Sequence, residues 1–221
     1  MANTHSDGGK PKSIRGRPRS DAHRHVCSAL LDAAEAGLRI KGHSELTSRE
    51  IASLANTNQA MIKYYFDGKE GLFSALIEKA LESVGDELSA LERDLDTMPA
   101  RPTKSLIVLL TKHYFSAAPL YKVLMDELRN ERSAVRQRYV KRGSRTFAHI
   151  CRILRKFVKL GIFKPDANVR YAAFTIACLI ETPVALSPVI GQMGFTLEEL
   201  KSDPWIDYIS GMLDREFGAA G

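Results

Sequence analysis

The chain has 221 residues, 44% of them apolar and 26% charged, which suits a globular protein of one or two domains. That balance excludes disorder over most of the length. The longest apolar stretch, near 172–186, is interrupted by Thr175, Glu181, Thr182 and Pro183, which excludes a membrane-spanning helix. The net charge is +6, and Cys27, Cys151 and Cys178 stand far apart with no CxxC spacing, so they read as free thiols in a reducing cytoplasm.

The polar, glycine-containing start carries no apolar segment of the kind a secretory signal needs. Residues 1–20 lack periodicity and are expected to form a flexible arm. Within it, 10–19 carry Lys10, Lys12, Arg15, Arg17 and Arg19 and no acid, a composition that suits a polyanion or a solvated tail. The first helix is expected from Asp21, capped by Ser20 or Asp21, with Val26, Leu30, Ala33, Ala34 and Leu38 on one face and Gly42 as its stop.

Thr47-Ser48-Arg49-Glu50 is a capping box: the Thr47 hydroxyl can accept from the Glu50 amide while the Glu50 carboxylate reaches back. Ile51, Ala52, Leu54 and Ala55 follow as a helix of about two turns. Asn56-Thr57-Asn58 reads as a turn, since Asn tolerates positive φ, and Asn58 can cap the helix Gln59–Phe66. Asp67 and Glu70 repeat the capping-box spacing. A long helix over 69–95 follows, with Leu72, Phe73, Leu76, Ile77, Leu81, Val84, Leu88, Leu91 and Leu95 in one stripe about 40 Å long.

Further helices are expected at 103–117, 119–129 and 132–160, the last with an irregularity at Gly143 and an end at Gly161. Eleven Lys or Arg stand against one acid in 129–159, while 78–96 hold seven acids against Lys79 and Arg93. The basic stretch therefore reads as a solvated face or as one facing the acidic segment. Residues 167–182 are apolar nearly all round and end at Pro183, and a final helix at 204–217 carries Trp205, Ile206, Ile209, Met212, Leu213 and Phe217. No strand-like alternation is present, so the fold class is all-α.

Residues 47–66 have the spacing of a helix-turn-helix, with Ile51, Ala55 and Ile62 holding the crossing and Gln59, Ala60, Lys63 and Tyr64 facing outward. A helix of this size fits a major groove about 12 Å wide. There Lys63 can meet a phosphate or a guanine edge, Gln59 an adenine edge, and Ala60 or Met61 a thymine methyl.

The run 29–77, with ALLDAAEAG, LTSREIASLA, NTNQAMIKYYF and DGKEGLFSALI, resembles the N-terminal domain of the TetR family of bacterial transcriptional repressors. The matches are Ala33-Ala34, Thr47-Ser48, Ile51-Ala52, Tyr65-Phe66 and Lys69-Glu70 with Leu72. RGRPR at 15–19 resembles the basic arm of some members, and an AT-hook core whose arginines enter a narrow minor groove. The resemblance implies an N-terminal three-helix DNA-binding domain at 21–68 and a C-terminal effector-binding and dimerisation body at 69–221. It implies DNA contacts from Arg15, Arg17, Arg19, Thr47, Ser48, Asn58, Gln59, Ala60, Lys63, Tyr64, Tyr65 and Lys69, Tyr65 alternatively packing within the domain. Where the family often has Gly-Val-Ser, this chain has Asn56-Thr57-Asn58. Where it often has Tyr, this chain has Lys63, which suggests a different operator.

The family's C-terminal helices dimerise and enclose an effector pocket. Helices 167–182 and 204–217 are apolar enough to supply a homodimer interface. Tyr114, Phe115, Tyr121, Phe147, Phe174 and Glu181 are pocket candidates, although aromatics at helical spacing also serve as core. Glu181, an acid in an apolar helix, has three readings: a cationic effector, a partner arginine, or water at a dimer edge.

His113 and His149 could join Glu181 at a metal, but separated histidines argue against it, and no cofactor or metal is expected. No nucleophile, phosphate loop or ligand cluster marks an enzyme. The expected function is a cytoplasmic regulator released from a double-stranded operator by a small-molecule effector that tilts the helix 69–95. The alternative is a helical enzyme or interaction module that binds no DNA.

Overall fold

The computed structural model describes residues 19–97 and 100–219, with the side chains of 19–22 and Lys122 outside the description. Among these, nine α-helices follow in order: α1 Arg19–Ile40, α2 Ser48–Leu54, α3 Gln59–Phe66, α4 Lys69–Asp94, α5 Pro102–Ser116, α6 Ala118–Glu127, α7 Ala134–Lys159, α8 Val169–Ala185 and α9 Asp203–Phe217. Short 3-10 turns lie at Leu95–Thr97, Ile190–Met193 and Glu199–Lys201. The described residues contain no strand, only an isolated bridge between Phe163 and Gly218. No described helix is long and apolar enough to cross a membrane.

Four expectations need correction. Ser20 and Asp21 do not cap α1, which begins earlier, at Arg19. Asp67 and Glu70 do not form a second capping box. Asp67 instead adopts left-handed φ of 59° as the C-cap of α3, its carboxylate bound to Lys63, and α4 opens at Gly68 without a side-chain cap. Gly143 does not interrupt α7, whose backbone carries on beneath the Tyr139 ring. Pro183 does not end α8. It removes one helical donor, yet Pro183 and Val184 are both buried, and the helix closes beyond them with the Leu186 amide donating to Thr182.

Two apolar cores result. The first joins Leu30, Ala34 and Leu38 of α1, Leu46, Ile51 and Ala52 around α2, and Ile62 of α3. It is completed by Leu72, Phe73 and Leu76 from the first turns of α4 and by Leu120 and Val123 of α6. The second, larger core takes the rest of α4 from Ile77 onward, together with α5, α7, α8, α9 and the other face of α6 through Tyr121 and Leu124. Helix α4 thus runs from one core into the other, and α6 has one face in each.

The basic stretch of α7 lies against acidic α4, which settles the two readings of its charge. Arg142 donates to Glu78 and Glu82, Arg138 to Glu78, Arg152 to Glu92, and Lys156 to the Glu92 carbonyl while also pairing with Asp96. His149 bonds the Glu92 carboxylate at 3.0 Å. Beneath this strap Val84, Leu88, Ile150, Ile153, Leu154 and Phe157 are buried together.

Candidate nucleic-acid interface and effector cavity

The helix-turn-helix is set by local chemistry. Thr47 caps α2: its hydroxyl accepts from the Glu50 amide at 3.2 Å, and Glu50 accepts from the Thr47 amide at 2.9 Å. Lys41 also binds Glu50. Together the lysine and the two Thr47 donors hold the Glu50 carboxyl down at about 2. After Leu54 the chain reverses at Asn56, which takes φ of 50° in the left-handed region where Asn is tolerated. The Asn58 side chain then accepts from the Ala60 amide at 2.8 Å and starts α3.

Burial of Ile62 turns the opposite side of α3 outward. Gln59, Ala60 and Lys63 are exposed, and Tyr64 is 74% exposed. The spacing of these four residues places them on one face over the first turn and a half, beside the positive end of the helix dipole. The α3–α4 corner is tight: a Cβ on Gly71 would lie 1.7 Å from the Phe66 carbonyl oxygen, so only glycine permits this approach.

The other candidate contacts divide by environment. The Thr47 hydroxyl is exposed, but its proton is directed to Glu50. Ser48 is half-buried at the first helical position. Lys63 pairs with Asp67 in the open, an arrangement that a phosphate can readily replace. Tyr65 is half-buried, edge-on to His23 at 4.6 Å and to Tyr64 at 4.8 Å. Lys69 turns inward, donating to the His43 carbonyl at 2.6 Å above the Phe73 ring, so its ammonium already has an intramolecular partner. Arg15 and Arg17 lie outside the described residues, and Arg19 enters only as the backbone start of α1.

Sequence reasoning missed Arg49, Ser53 and Thr57. They border an open groove with Asn58 and Gln59, next to the exposed face of α3. Arg49 and Ser53 stand four residues apart on the polar side of α2, opposite Ile51, and that spacing was the available signal.

A cavity of about 30 Å³ lies in the second core between α4, α5, α6 and α7. Its wall includes Ile77, Leu81 and Val84 of α4, His113 and Tyr114 of α5, Ala117, Leu120, Tyr121 and Leu124 near α6, and Tyr139 of α7. Of the pocket candidates, Tyr114 and Tyr121 lie on this wall. Phe147 packs half-buried at the edge of the core. Phe174 is 64% exposed on the outer face of α8, because the core side of that helix is taken by Ala172, Ala173 and Ile176. Tyr139 is a wall residue that sequence reasoning did not single out as a ligand contact.

Glu181 is half-buried on α8 and does not line this cavity. Burial pushes the Glu181 carboxyl up, an effect the Tyr114 hydroxyl partly offsets. Burial also raises the Tyr114 and Tyr121 phenols and takes Tyr139 up to about 12, with the nearby Glu181 charge adding to each. On the facing wall, burial lowers His113. Among the described residues no arginine or lysine pairs with Glu181, and no group of three His, Cys, Asp or Glu side chains is placed to hold a metal.

Comparison with known proteins agrees with this geometry. Residues 30–76, from α1 through the first turns of α4, match the family model described as bacterial regulatory proteins, tetR family. The HTH-type transcriptional repressor NicS of Pseudomonas putida is 25% identical over 154 residues, covering 68% of this chain and 71% of that protein. A TetR-family transcriptional regulator of Mesorhizobium loti superposes with a TM-score of 0.67 at 16% identity, over 92% of this chain and 100% of its own. FadR of Bacillus subtilis, solved with stearoyl-CoA, superposes at 0.62 with 23% identity, over 84% and 96%. Residues 30–76 thus match a tetR-family DNA-binding domain, and the helical body behind it shares the fold of these solved regulators.

Proposed function

We propose that the chain is a sequence-specific, DNA-binding transcriptional regulator, not an enzyme, and that it works as a homodimer. The observation that carries this is the outward face of α3: Gln59, Ala60, Lys63 and Tyr64 exposed together on a helix whose start is capped by Asn58 and aimed by Asn56. Gln59 and Lys63 offer base-edge hydrogen bonds, and Arg49, Ser53 and the helix amides offer phosphate contacts. The reading unit is residues 21–68, and the regulatory body is 69–221.

One reading helix seldom yields sufficient affinity, so two are needed. The outer face of α8 supports the pairing. Tyr171 and Phe174 are largely exposed, Cys178 and Thr182 continue the same stripe, and exposed Tyr208 stacks on Trp205 of neighbouring α9 at 5.6 Å. An apolar patch of this kind on a soluble chain marks an interface, here a four-helix contact between two copies.

The body also supports release by an effector, as a repressor of this kind requires, and FadR, a regulator of the same fold, was solved with stearoyl-CoA. Ala117, Leu120, Tyr121 and Leu124 face the cavity, while Leu120 and Val123 pack into the core of the DNA-binding domain. A ligand that enlarges the cavity presses on α6 and α4, the two helices shared by both cores. A shift of a few Å there changes the separation of the reading helices and misregisters one of them on half-sites about 34–36 Å apart.

Retention on random duplex DNA across a salt series tests this reading. A steep loss of affinity with salt, and a dimeric mass by light scattering, are expected. A strictly monomeric protein with salt-independent or no retention would instead favour an interaction module without DNA binding.

A further inference from the structure

A second concavity lies outside the effector cavity and shares no described wall residue with it. It is a groove of about 470 Å³ bordered by the last turn of α1, by α5, and by α9 with the 3-10 turn that precedes it. That volume is ordinary for a small-molecule site. Its apolar surface comes from Val108 and Phe115 of α5 and Ile206 of α9. Ile206 and Tyr208 stand two residues apart, so they point to opposite sides of α9. Pairing of two copies through Tyr208 therefore leaves the groove side of α9 free.

Three cations converge on this apolar surface: Arg39 from α1, Lys112 from α5 and Lys201 from the 3-10 turn. The described lining residues include no carboxylate. Arg39 is held by Glu35 and Lys201 by Glu198, each within one turn of its own chain and open to solvent. Such exposed pairs are weak, so an incoming anion displaces them at little cost. Thr111 also lines the groove. It is buried, and its hydroxyl has no hydrogen-bond partner. An unpaired buried hydroxyl is costly, and an acceptor in the groove would satisfy it. Threonine in a helix has two accessible χ1 rotamers, so the hydroxyl can turn to meet that acceptor.

We propose that this groove binds an amphipathic organic acid. Its carboxylate lies among Arg39, Lys112 and Lys201, and its hydrocarbon body lies along Val108, Phe115 and Ile206. The arginine fork matches a carboxylate in two parallel hydrogen bonds. A neutral hydrophobe would forfeit the three charges, and a small inorganic anion would leave the apolar surface wet. An acid seated there touches α1, which belongs to the DNA-binding core, together with α5 and α9 of the body.

Octanoate, 1-octanol and acetate separate charge from chain: octanol keeps the chain without the charge, and acetate the charge without the chain. Each is titrated into the full chain at constant ionic strength, below micelle formation, with binding read by calorimetry. Octanoate is expected to bind about tenfold more tightly than either of the others. Lys112→Glu should weaken octanoate by about tenfold, since it removes one attraction and adds a repulsion. Lys141→Glu makes the same charge change at an exposed site on α7 and should leave octanoate affinity unaltered. No octanoate binding, or octanol or acetate binding as tightly as octanoate, overturns the proposal. Octanoate affinity unchanged in Lys112→Glu places the ligand elsewhere and also overturns it. So does an equal loss in Lys141→Glu, which would report net charge alone. Lys112 is exposed, so its replacement spares the core, and the probe comparison on the wild-type protein decides the point even if that variant fails to fold. The titrations contain no DNA, so their outcome is independent of the DNA-binding reading.

Discussion

Replacing Gly71 with alanine sets two opposed effects against each other. In a helix interior Gly→Ala ordinarily stabilises by about 1 kcal/mol, because alanine loses less backbone entropy. At Gly71 the added Cβ would stand 1.7 Å from the Phe66 carbonyl oxygen. An ordinary carbon–oxygen approach is about 3.3 Å, so α3 and α4 must separate by roughly 1.5 Å at their corner. The obstructing atom is backbone, which no rotamer change can move aside, and overpacking of this kind costs about 1–3 kcal/mol or more. The clash wins, and a net loss of about 1–2 kcal/mol is expected, a drop of roughly 2–8 °C in midpoint for a chain of this size. Gly85, in the same helix, has nothing within 4 Å of the corresponding position. Gly85→Ala should therefore gain up to about 1 kcal/mol. Thermal and urea unfolding of both variants gives the two signs directly, and duplex binding by Gly71→Ala should weaken because α3 is displaced. A Gly71→Ala protein as stable as the wild type would refute the tight-corner argument.

Lys63→Ala should relax discrimination at one operator position by roughly tenfold if the lysine reads a base, and weaken all duplexes alike if it meets phosphate; competition assays on single-base operator variants separate the two. Acid should loosen the α4–α7 strap. Arg142 holds Glu78, and Arg152 holds Glu92, below the usual carboxylate range, so their contribution is full above the unfolded value near 4.3 and is lost as pH falls through the lowered folded values. Urea unfolding from pH 6 to 3 should show this decline (about that range brackets the titrations), with a shallower slope in Arg142→Ala; identical slopes would contradict it. Thr111 is buried with a hydroxyl that has no partner. Thr111→Val should raise stability by about 1 kcal/mol in thermal unfolding, since a buried unpaired hydroxyl is replaced by a methyl.

The sequence was most legible where a short-range rule decides the structure. The Thr47–Glu50 box, the Asn56 reversal and the Asn58 cap each involve atoms within three residues, and all three form as their spacing predicts. Helical periodicity likewise located α4 and α7 within a few residues. It was less legible where one spacing allows two arrangements or where packing decides. Asp67 had capping-box spacing, but the left-handed turn ahead of Gly68 gave it to Lys63. That Lys69, a phosphate candidate by resemblance, donates to the His43 carbonyl depends on a residue 26 positions away and is not visible in its spacing. Phe174 and Tyr139 are both aromatics on helices. Only the packing of α8 and α7 shows that the first faces outward and the second faces the cavity. The pairing of α7 with α4 was one of two readings until the fold placed Glu78 beside Arg142.

Selection of bound duplexes from a random pool tests the central claim most directly. A symmetric pair of reading helices predicts an inverted repeat whose half-site centres lie about 34–36 Å apart or at a multiple of that, and whose enrichment disappears when Gln59, Lys63 and Tyr64 are replaced together by alanine. A pool that stays random, or an enriched motif that survives that triple replacement, would contradict it.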